Sequence, residues 1–149
     1  MMLRPFFLSD YEAVVDMYYD FTREVFTERK IGYKYFFYKT VQEWIKKGND
    51  IVLVTTDDGE IVGFSMAFYD DFGGLTEPFY NGEIAYVKPE YRKSKAAYLL
   101  YNNGIEVARE RNLLIVANGR VENGVDRMIK KHFKATPMFI NFERKPNGR

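Results

Sequence analysis

The feature that most restricts the fold of this chain is a pair of strand-like segments separated by a short turn. Residues 51–55 are apolar and β-branched, and residues 61–69 have the same strand-like character. Between them, Asp57, Asp58 and Gly59 are residue types that tight turns use. The sequence therefore predicts a β-hairpin, and with it an antiparallel pair of strands.

The N-terminal third predicts a strand and two helices. Residues 3–7 form the strand, and Ser9 followed three positions later by Glu12 is typical of a capping box at the start of a helix. Apolar residues at three- and four-residue spacing continue this helix until residues 22–32, which are more polar and predict a turn. A second helix, rich in aromatic residues, ends at Gly48 after two lysines.

The remainder of the chain continues the alternation of strands and helices. The patterns predict, in chain order, a long connection over residues 70–82, a strand over 83–87, a helix over 94–111, a strand over 113–117, a shorter helix from Asn123 to Lys131 and a last strand over 138–142. No repeat and no linker-like segment interrupts this order. We therefore expect residues 1–149 to form a single mixed α/β domain.

Composition excludes several kinds of chemistry. The 149 residues include no cysteine and a single histidine, which excludes thiol catalysis, disulfides, and zinc sites built from thiolates or several histidines. The 22 Lys and Arg residues against 21 Asp and Glu residues leave a net charge of +1, which argues against nucleic acid as a partner. Because no run of about 18 apolar residues occurs, we expect a cytoplasmic protein without a membrane partner.

The most informative segment is a strand that runs through a basic loop into a helix. Arg92, Lys93 and Lys95 lie at this transition. The first backbone N–H groups of a helix have no partners within it, and the helix dipole adds positive charge, so this end of a helix attracts phosphates. The segment therefore predicts an anion-binding site. A charged loop that contacts only solvent is the alternative.

Several residues of this segment are similar to a family motif. Val87, Pro89, Tyr91, Arg92 and Ala97 lie at positions of the Val-x-Pro-x-Tyr-Arg corner and the Arg/Gln-x-x-Gly-x-Gly/Ala loop of the GCN5-related N-acetyltransferase (GNAT) superfamily. The order of elements along nearly the whole chain is also similar. This resemblance implies a mixed, mostly antiparallel sheet with a splayed strand and helices on both faces. Within the superfamily, the chain most resembles short acetyltransferase-like proteins of tailed bacteriophages, which implies the host cytoplasm as its location.

The resemblance also implies acetyl-CoA as the cosubstrate, bound by the strand, the loop and the first turn of the helix. The residues at the corresponding positions are Tyr86, Val87, Arg92, Lys93, Ser94, Lys95, Ala96 and Ala97. Lys95 replaces the first glycine of the family loop, where a side chain restricts φ and the approach of the backbone to a pyrophosphate. Its ammonium group could compensate by pairing with a phosphate.

The resemblance further implies direct transfer of an acetyl group to a primary amine, which requires a general base. Glu83 lies four residues before Val87, where many family members place a catalytic carboxylate beside the acetyl group. A glutamate at a strand end that only faces water is the alternative. The family's tyrosine acid corresponds to Met128 and its glycine to His132, so the general acid stays open between water and the tyrosines at positions 86, 91, 98 and 101.

The sequence does not identify the acceptor. An aromatic cluster could line an acceptor pocket, pack the second helix on the sheet or form a homodimer contact; it consists of Tyr33, Tyr35, Phe36, Phe37, Tyr38 and Trp44. Acidic residues at positions 70, 71 and 77 could attract a cationic amine. The second hypothesis for function is a catalytically silent domain of this fold that binds a protein partner. Lys95 and Met128 favour it, because they differ from the family pattern.

Overall fold

Strands and helices alternate in the order that the sequence predicts. The computed structural model describes residues 1–26, 30–70, 78–117 and 125–134. Its elements are β1 (Met2–Pro5), α1 (Tyr11–Val25), α2 (Lys34–Lys46), β2 (Asp50–Thr55), β3 (Ile61–Asp70), β4 (Phe79–Val87), α3 (Ala96–Glu110), β5 (Leu114–Ala117) and α4 (Val125–Phe133). Within these ranges, we find no helix with the length and apolar character that crossing a bilayer requires. The predicted cap at Asn123 and the last strand over 138–142 lie outside the described residues.

The chain divides into two compact units, Met1–Asn118 and Gly119–Arg149. The first unit contains all five described strands and α1 to α3, whereas α4 belongs to the second. The expectation of one domain over residues 1–149 stays a prediction.

The five strands form one sheet in the order β1-β2-β3-β4-β5. Neighbouring strands are antiparallel except for β4 and β5, which are parallel and are connected through α3. In the turn between β2 and β3, Gly59 has a φ of 88°, a conformation that glycine adopts without strain. The predicted hairpin and the mixed, mostly antiparallel sheet are therefore confirmed.

Helices cover both faces of the sheet, as expected. On one face, α1 and α2 bury a large apolar core that includes Val14, Val15, Val41, Trp44, Leu53, Phe64, Ile84 and Tyr86. On the other face, α3 packs through Ala96 and Leu100 in a cluster with Val54, Val62 and Val87. Because apolar burial on both faces stabilises the sheet, β4 is held in place between two helical layers.

The start of α1 differs from the predicted capping box. The Asp10 carboxylate, rather than that of Glu12, accepts a hydrogen bond from the backbone N–H three residues earlier, which is that of Phe7 at 2.9 Å. The Arg4 guanidinium also donates to the Asp10 carboxylate, at 2.7 and 2.8 Å. A carboxylate fixed by a guanidinium is the stronger acceptor, which explains why Asp10 takes this role.

Two predicted connections are shorter in the structure. α1 continues to Val25, into the segment predicted as a turn, and Phe21 near its end packs against Tyr86 of β4 with ring centroids 6.4 Å apart. β4 begins at Phe79 because Phe79 and Tyr80 pair with β5 and are only 1% and 2% exposed. The predicted connection over residues 70–82 is therefore wrong in its last part.

Candidate functional site

The strand β4 carries an irregularity at Glu83. Met66 of β3 pairs with Ile84, whereas the next residue of β3, Ala67, pairs with Gly82. Glu83 is therefore an extra residue that forms a β-bulge, a feature that re-aims side chains and often lies beside active sites.

β4 has strand partners on both sides along only part of its length. β5 pairs with β4 from Phe79 to Gly82, and its last described residue, Ala117, lies opposite Gly82. From Glu83 to Val87, β3 alone pairs with β4 within the described part of the chain. An edge of this kind offers unpaired backbone groups to a ligand, and it agrees with the expected splayed strand.

The Glu83 side chain is exposed and lies toward α1. Its Oε2 accepts a hydrogen bond from Asn81 Nδ2 at 3.4 Å. Burial, and after it the negative charge of Glu83, raise the pKa of the Tyr18 hydroxyl on α1. The predicted base thus lies at the bulge, in the part of β4 that only β3 accompanies among the described residues, and it is in contact with solvent.

The Arg92 side chain connects the basic loop to α1. Its Nε donates to the Val87 carbonyl oxygen at 2.9 Å, and its Nη2 donates to both carboxylate oxygens of Glu24 at 2.6 and 2.7 Å. The guanidinium also lies over the Tyr86 ring, 5.6 Å from the centroid. A carboxylate therefore engages Arg92, to which the resemblance assigns a phosphate.

The backbone at the start of α3 has N–H groups to offer an anion. The Ser94 hydroxyl accepts the N–H of Ala96 at 3.2 Å and so caps the helix from just outside it. Among the described residues, the backbone N–H groups of Lys93, Lys95 and Ala97 form no hydrogen bond. These N–H groups and the neighbouring cationic side chains fit an anion of the pyrophosphate type.

Lys95 needs no special backbone conformation. Its φ is −77° and its ψ is 2°, values that any residue adopts, so the absence of the family's glycine produces no strain at this position. The Lys95 side chain is exposed. The N-terminal ammonium group, and more weakly Lys95, lower the pKa of the Asp57 carboxyl in the turn between β2 and β3.

Three predicted cofactor-binding residues direct their side chains into the core. Tyr86, Val87 and Ala96 are 5%, 7% and 0% exposed. Burial, and then the charges of Glu24 and Asp20, raise the pKa of Tyr86 to about 12, and its hydroxyl donates to Glu24 at 3.4 Å. Contact of these three residues with a ligand at the surface must therefore come from their backbone.

Two residues at the site are missed by reasoning from the sequence. Glu24 lies in the segment predicted as a turn, although its spacing gives a signal: acids recur every four residues, on one helix face, at Glu12, Asp16, Asp20 and Glu24. Asn81 precedes a glycine, a pair typical of turns, so nothing in the sequence indicates its position on a strand beside Glu83.

The structure does not choose among the proposed general acids. The Tyr91 hydroxyl donates to Glu60 Oε2 at 2.8 Å, and burial raises the pKa of Tyr101 to about 12. Tyr98 is exposed on α3. Met128 and His132 lie on α4, in the second unit. The identity of the acid stays open.

The aromatic cluster divides between core and surface. Phe37 and Trp44 of α2 are buried in the core that α1 and α2 form on the sheet, which confirms the packing role for this pair. Tyr33, Tyr35 and Phe36 are exposed, Tyr33 at 84%. Of the three acidic residues predicted to attract an amine, Asp70 ends β3, and the residues at positions 71 and 77 lie outside the described part.

A cavity of about 540 Å³ lies apart from this site, beside β1, β2 and the second half of α3. Its lining includes Asp50 and Tyr80, whose hydroxyl donates to Asp50 Oδ2 at 2.9 Å. No predicted site residue lines it. The candidate site therefore lies outside this cavity, along β4 and the loop before α3.

Comparison with protein families and curated sequences gives one match. The profile of the acetyltransferase (GNAT) family matches residues 11–130, which is most of the chain. None of the curated proteins compared with the sequence matches it.

Solved structures with a similar fold include acetyltransferases from several organisms. A protein from Clostridium difficile 630 described as a possible acetyltransferase has a TM-score of 0.75 at 18% identity, over 97% of this chain and 95% of that chain. An aminoglycoside antibiotic 6'-N-acetyltransferase from Acinetobacter haemolyticus has a TM-score of 0.68 at 14% identity, over 97% and 99%. The ribosomal-protein-alanine N-acetyltransferase from Brucella melitensis biovar Abortus 2308 has a TM-score of 0.67 at 15% identity, over 97% and 99%. At these identities the likeness concerns the fold.

Proposed function

We propose that this chain, which belongs to the acetyltransferase (GNAT) family, transfers an acetyl group from acetyl-CoA directly to a primary amine. One juxtaposition carries the proposal. The part of β4 that pairs only with β3 among the described residues has the Glu83 carboxylate at its bulge and leads into the basic loop of residues 92–97. Acetyl-CoA, when bound, supplies the activated acetyl group. The protein's own residues bind the cosubstrate, orient the acceptor amine and remove a proton from it.

The loop and the first turn of α3 are the parts assigned to the pyrophosphate. The backbone N–H groups of Lys93, Lys95 and Ala97 are suited to its oxygens, and the two lysines add full charges. Ser94 supports this arrangement through its bond to Ala96. The edge of β4 at residues 86–87 contributes backbone groups to the rest of the cosubstrate.

Glu83 is assigned the role of general base, acting directly or through water. An amine is protonated in water near neutral pH, so it must lose a proton before it can attack a carbonyl carbon. Asp20 is exposed on α1 and, with Glu24, contributes to the raised pKa of Tyr86, which indicates a negative potential on this side of β4. This potential would attract a cationic acceptor toward Glu83.

The acceptor is proposed only as a small-molecule or peptide amine. Two structural neighbours are described as N-acetyltransferases, one of aminoglycosides and one of ribosomal-protein alanine. An amine acceptor is common to both, and only this feature is extended to the present chain. The phage subgroup, the host cytoplasm as location and a homodimer remain hypotheses.

The alternative function is a silent domain of this fold that binds a protein partner. It is favoured by the exposed aromatic side chains of Tyr33, Tyr35 and Phe36, which a soluble enzyme does not need at its surface. It is also favoured by the engagement of Arg92 with Glu24, which leaves less positive charge for a phosphate.

Calorimetric titration with acetyl-CoA distinguishes the two functions, with desulfo-CoA and ATP as comparison ligands. We expect micromolar binding of acetyl-CoA, about 8 kcal/mol, and a loss of affinity when Lys93 and Lys95 are both replaced by alanine. Replacement of Lys46 and Lys47, at the end of α2, is the matched control for loss of two charges. Absence of acetyl-CoA binding to the unaltered protein would contradict the enzyme hypothesis and favour the silent domain.

A further inference from the structure

The amide of Asn81 is a buried polar group that the proposed chemistry does not yet use. Asn81 is 9% exposed, and its Oδ1 is buried without a hydrogen-bond partner. Within the described part of the chain, it is the one buried side-chain oxygen or nitrogen in this condition. An unsatisfied buried acceptor destabilises the folded state, so its retention requires an explanation.

The orientation of the amide explains the unsatisfied oxygen. Asn81 Nδ2 donates to Glu83 Oε2 at 3.4 Å. An ionised carboxylate only accepts hydrogen bonds, so the amide nitrogen must face Glu83 and the amide oxygen must face the protein. Turning the amide over would bring two acceptors together. Asn81 thus gives up one hydrogen bond in order to hold the other.

The β-bulge determines how Glu83 lies relative to its neighbours on β3 and β4. As the extra residue of the bulge, Glu83 is not paired with a residue of β3. Asn81 lies two residues earlier on the same strand, and its amide nitrogen is 3.4 Å from the Glu83 carboxylate. It is a neighbour that can fix the carboxylate at the bulge of β4.

We propose that Asn81 is a positioning residue, which holds the Glu83 carboxylate where it accepts the proton of the acceptor amine. The inference rests on the proposed function, because Asn81 acts through Glu83. A positioning role and a purely structural role predict different effects of substitution at Asn81. Removal of the Asn81 amide should impair turnover without impairing stability, because the unsatisfied oxygen disappears with it.

The test compares Asn81→Leu, which keeps the branched shape without polar atoms, with the unaltered enzyme. We expect kcat to fall about tenfold with spermidine or kanamycin as the amine, while the KM for acetyl-CoA is unchanged. The melting temperature of the free protein should be unchanged or higher. Asn81→Ala serves as a second variant in case leucine does not fit, and Asn103→Leu, on α3, is the control expected to retain full turnover.

A double-mutant cycle separates this inference from the proposed function. In a Glu83→Gln background, Asn81→Leu should cause no further loss of kcat, because the group it positions is already absent. Full turnover by Glu83→Gln would overturn the assignment of the base itself. Slow turnover by Glu83→Gln with normal turnover by both Asn81 variants would overturn only the role of Asn81, as would a lower melting temperature of both Asn81 variants.

Discussion

Arg92, in the loop before α3, donates two hydrogen bonds of 2.6 and 2.7 Å to the carboxylate of Glu24, which lies 68 residues earlier in the last turn of α1. The pair connects the loop assigned to the cosubstrate with α1, the helix toward which the proposed base Glu83 lies. Because Glu24 engages the guanidinium with a full negative charge, a phosphate must compete with Glu24 for Arg92.

The first prediction concerns this competition. Arg92→Ala should weaken acetyl-CoA binding about tenfold, because a charge-assisted hydrogen bond is lost. Glu24→Gln should strengthen binding several-fold, because the competing charge is removed from the guanidinium. Calorimetric titration measures both changes. Arg109→Ala, which removes an exposed arginine paired with Glu106 on α3, is the control expected to leave the dissociation constant unchanged. An unchanged dissociation constant for Arg92→Ala would remove this side chain from the site.

The second prediction concerns the lysine at the glycine position. Because Lys95 has a φ of −77°, glycine offers the loop no conformation that lysine lacks. Lys95→Gly should therefore weaken acetyl-CoA binding several-fold through loss of charge, and the difference should shrink at high salt, where charges are screened. Lys95→Arg is the matched control, which keeps the charge. Tighter binding by Lys95→Gly would show instead that the Lys95 side chain obstructs the pyrophosphate.

The third prediction concerns the contact between β3 and β4. A Cβ at Gly63 would lie 2.6 Å from the Tyr86 carbonyl oxygen and 3.0 Å from Val54 Cγ1. Gly63→Ala should therefore displace β4 and lower the free energy of unfolding by about 2 kcal/mol, as measured by urea denaturation. In Gly104→Ala, the control, the added Cβ would lie 3.4 Å from Ile115 Cδ1. There, a helical glycine is replaced without a clash, and stability should rise by about 0.5–1 kcal/mol. Equal stability of the two variants would contradict this account.

The fourth prediction concerns the ion pair that fixes the start of α1. The hydrogen bond from Arg4 is the main cause that lowers the pKa of the Asp10 carboxyl below its ordinary value of 3.8. A lowered pKa in the folded state contributes stability that is present above the pKa of the unfolded chain and is lost as the pH falls through the folded pKa. Asp10→Asn should therefore be about 1–3 kcal/mol less stable at neutral pH.

The pH dependence of this difference provides the check. Urea denaturation between neutral pH and pH 3 should show the stability of the unaltered protein approaching that of Asp10→Asn, as the pH falls below the pKa of Asp10 in the unfolded chain and toward its lower pKa in the folded protein. Asp58→Asn, in the exposed turn between β2 and β3, is the control for loss of one carboxylate. A difference that stays constant over this range would show that the Asp10 charge does not stabilise the fold.

The features that depend on residues close together in the chain could be predicted from the sequence. The hairpin follows from β-branched segments around Asp57, Asp58 and Gly59, and the helix after the basic loop follows from apolar spacing within a single segment. Periodicity and turn chemistry act over a few residues, so they can be recognised without knowledge of the partner. The positive charge of the loop, which includes Arg92 and Lys95, could be recognised from the sequence in the same way.

The features that depend on residues far apart in the chain could not be predicted from local sequence and are seen in the tertiary structure. The bulge at Glu83 results from the register between β3 and β4, and a register is a property of two strands rather than of one. The engagement of Arg92 by Glu24 and the burial of Tyr86 require α1 to lie on the sheet. Asn81 resembles a turn residue in sequence and becomes a strand residue because β5 pairs beside it. Pairing and packing between distant segments outweigh local preference at these positions, and it is there that the candidate site acquires its geometry.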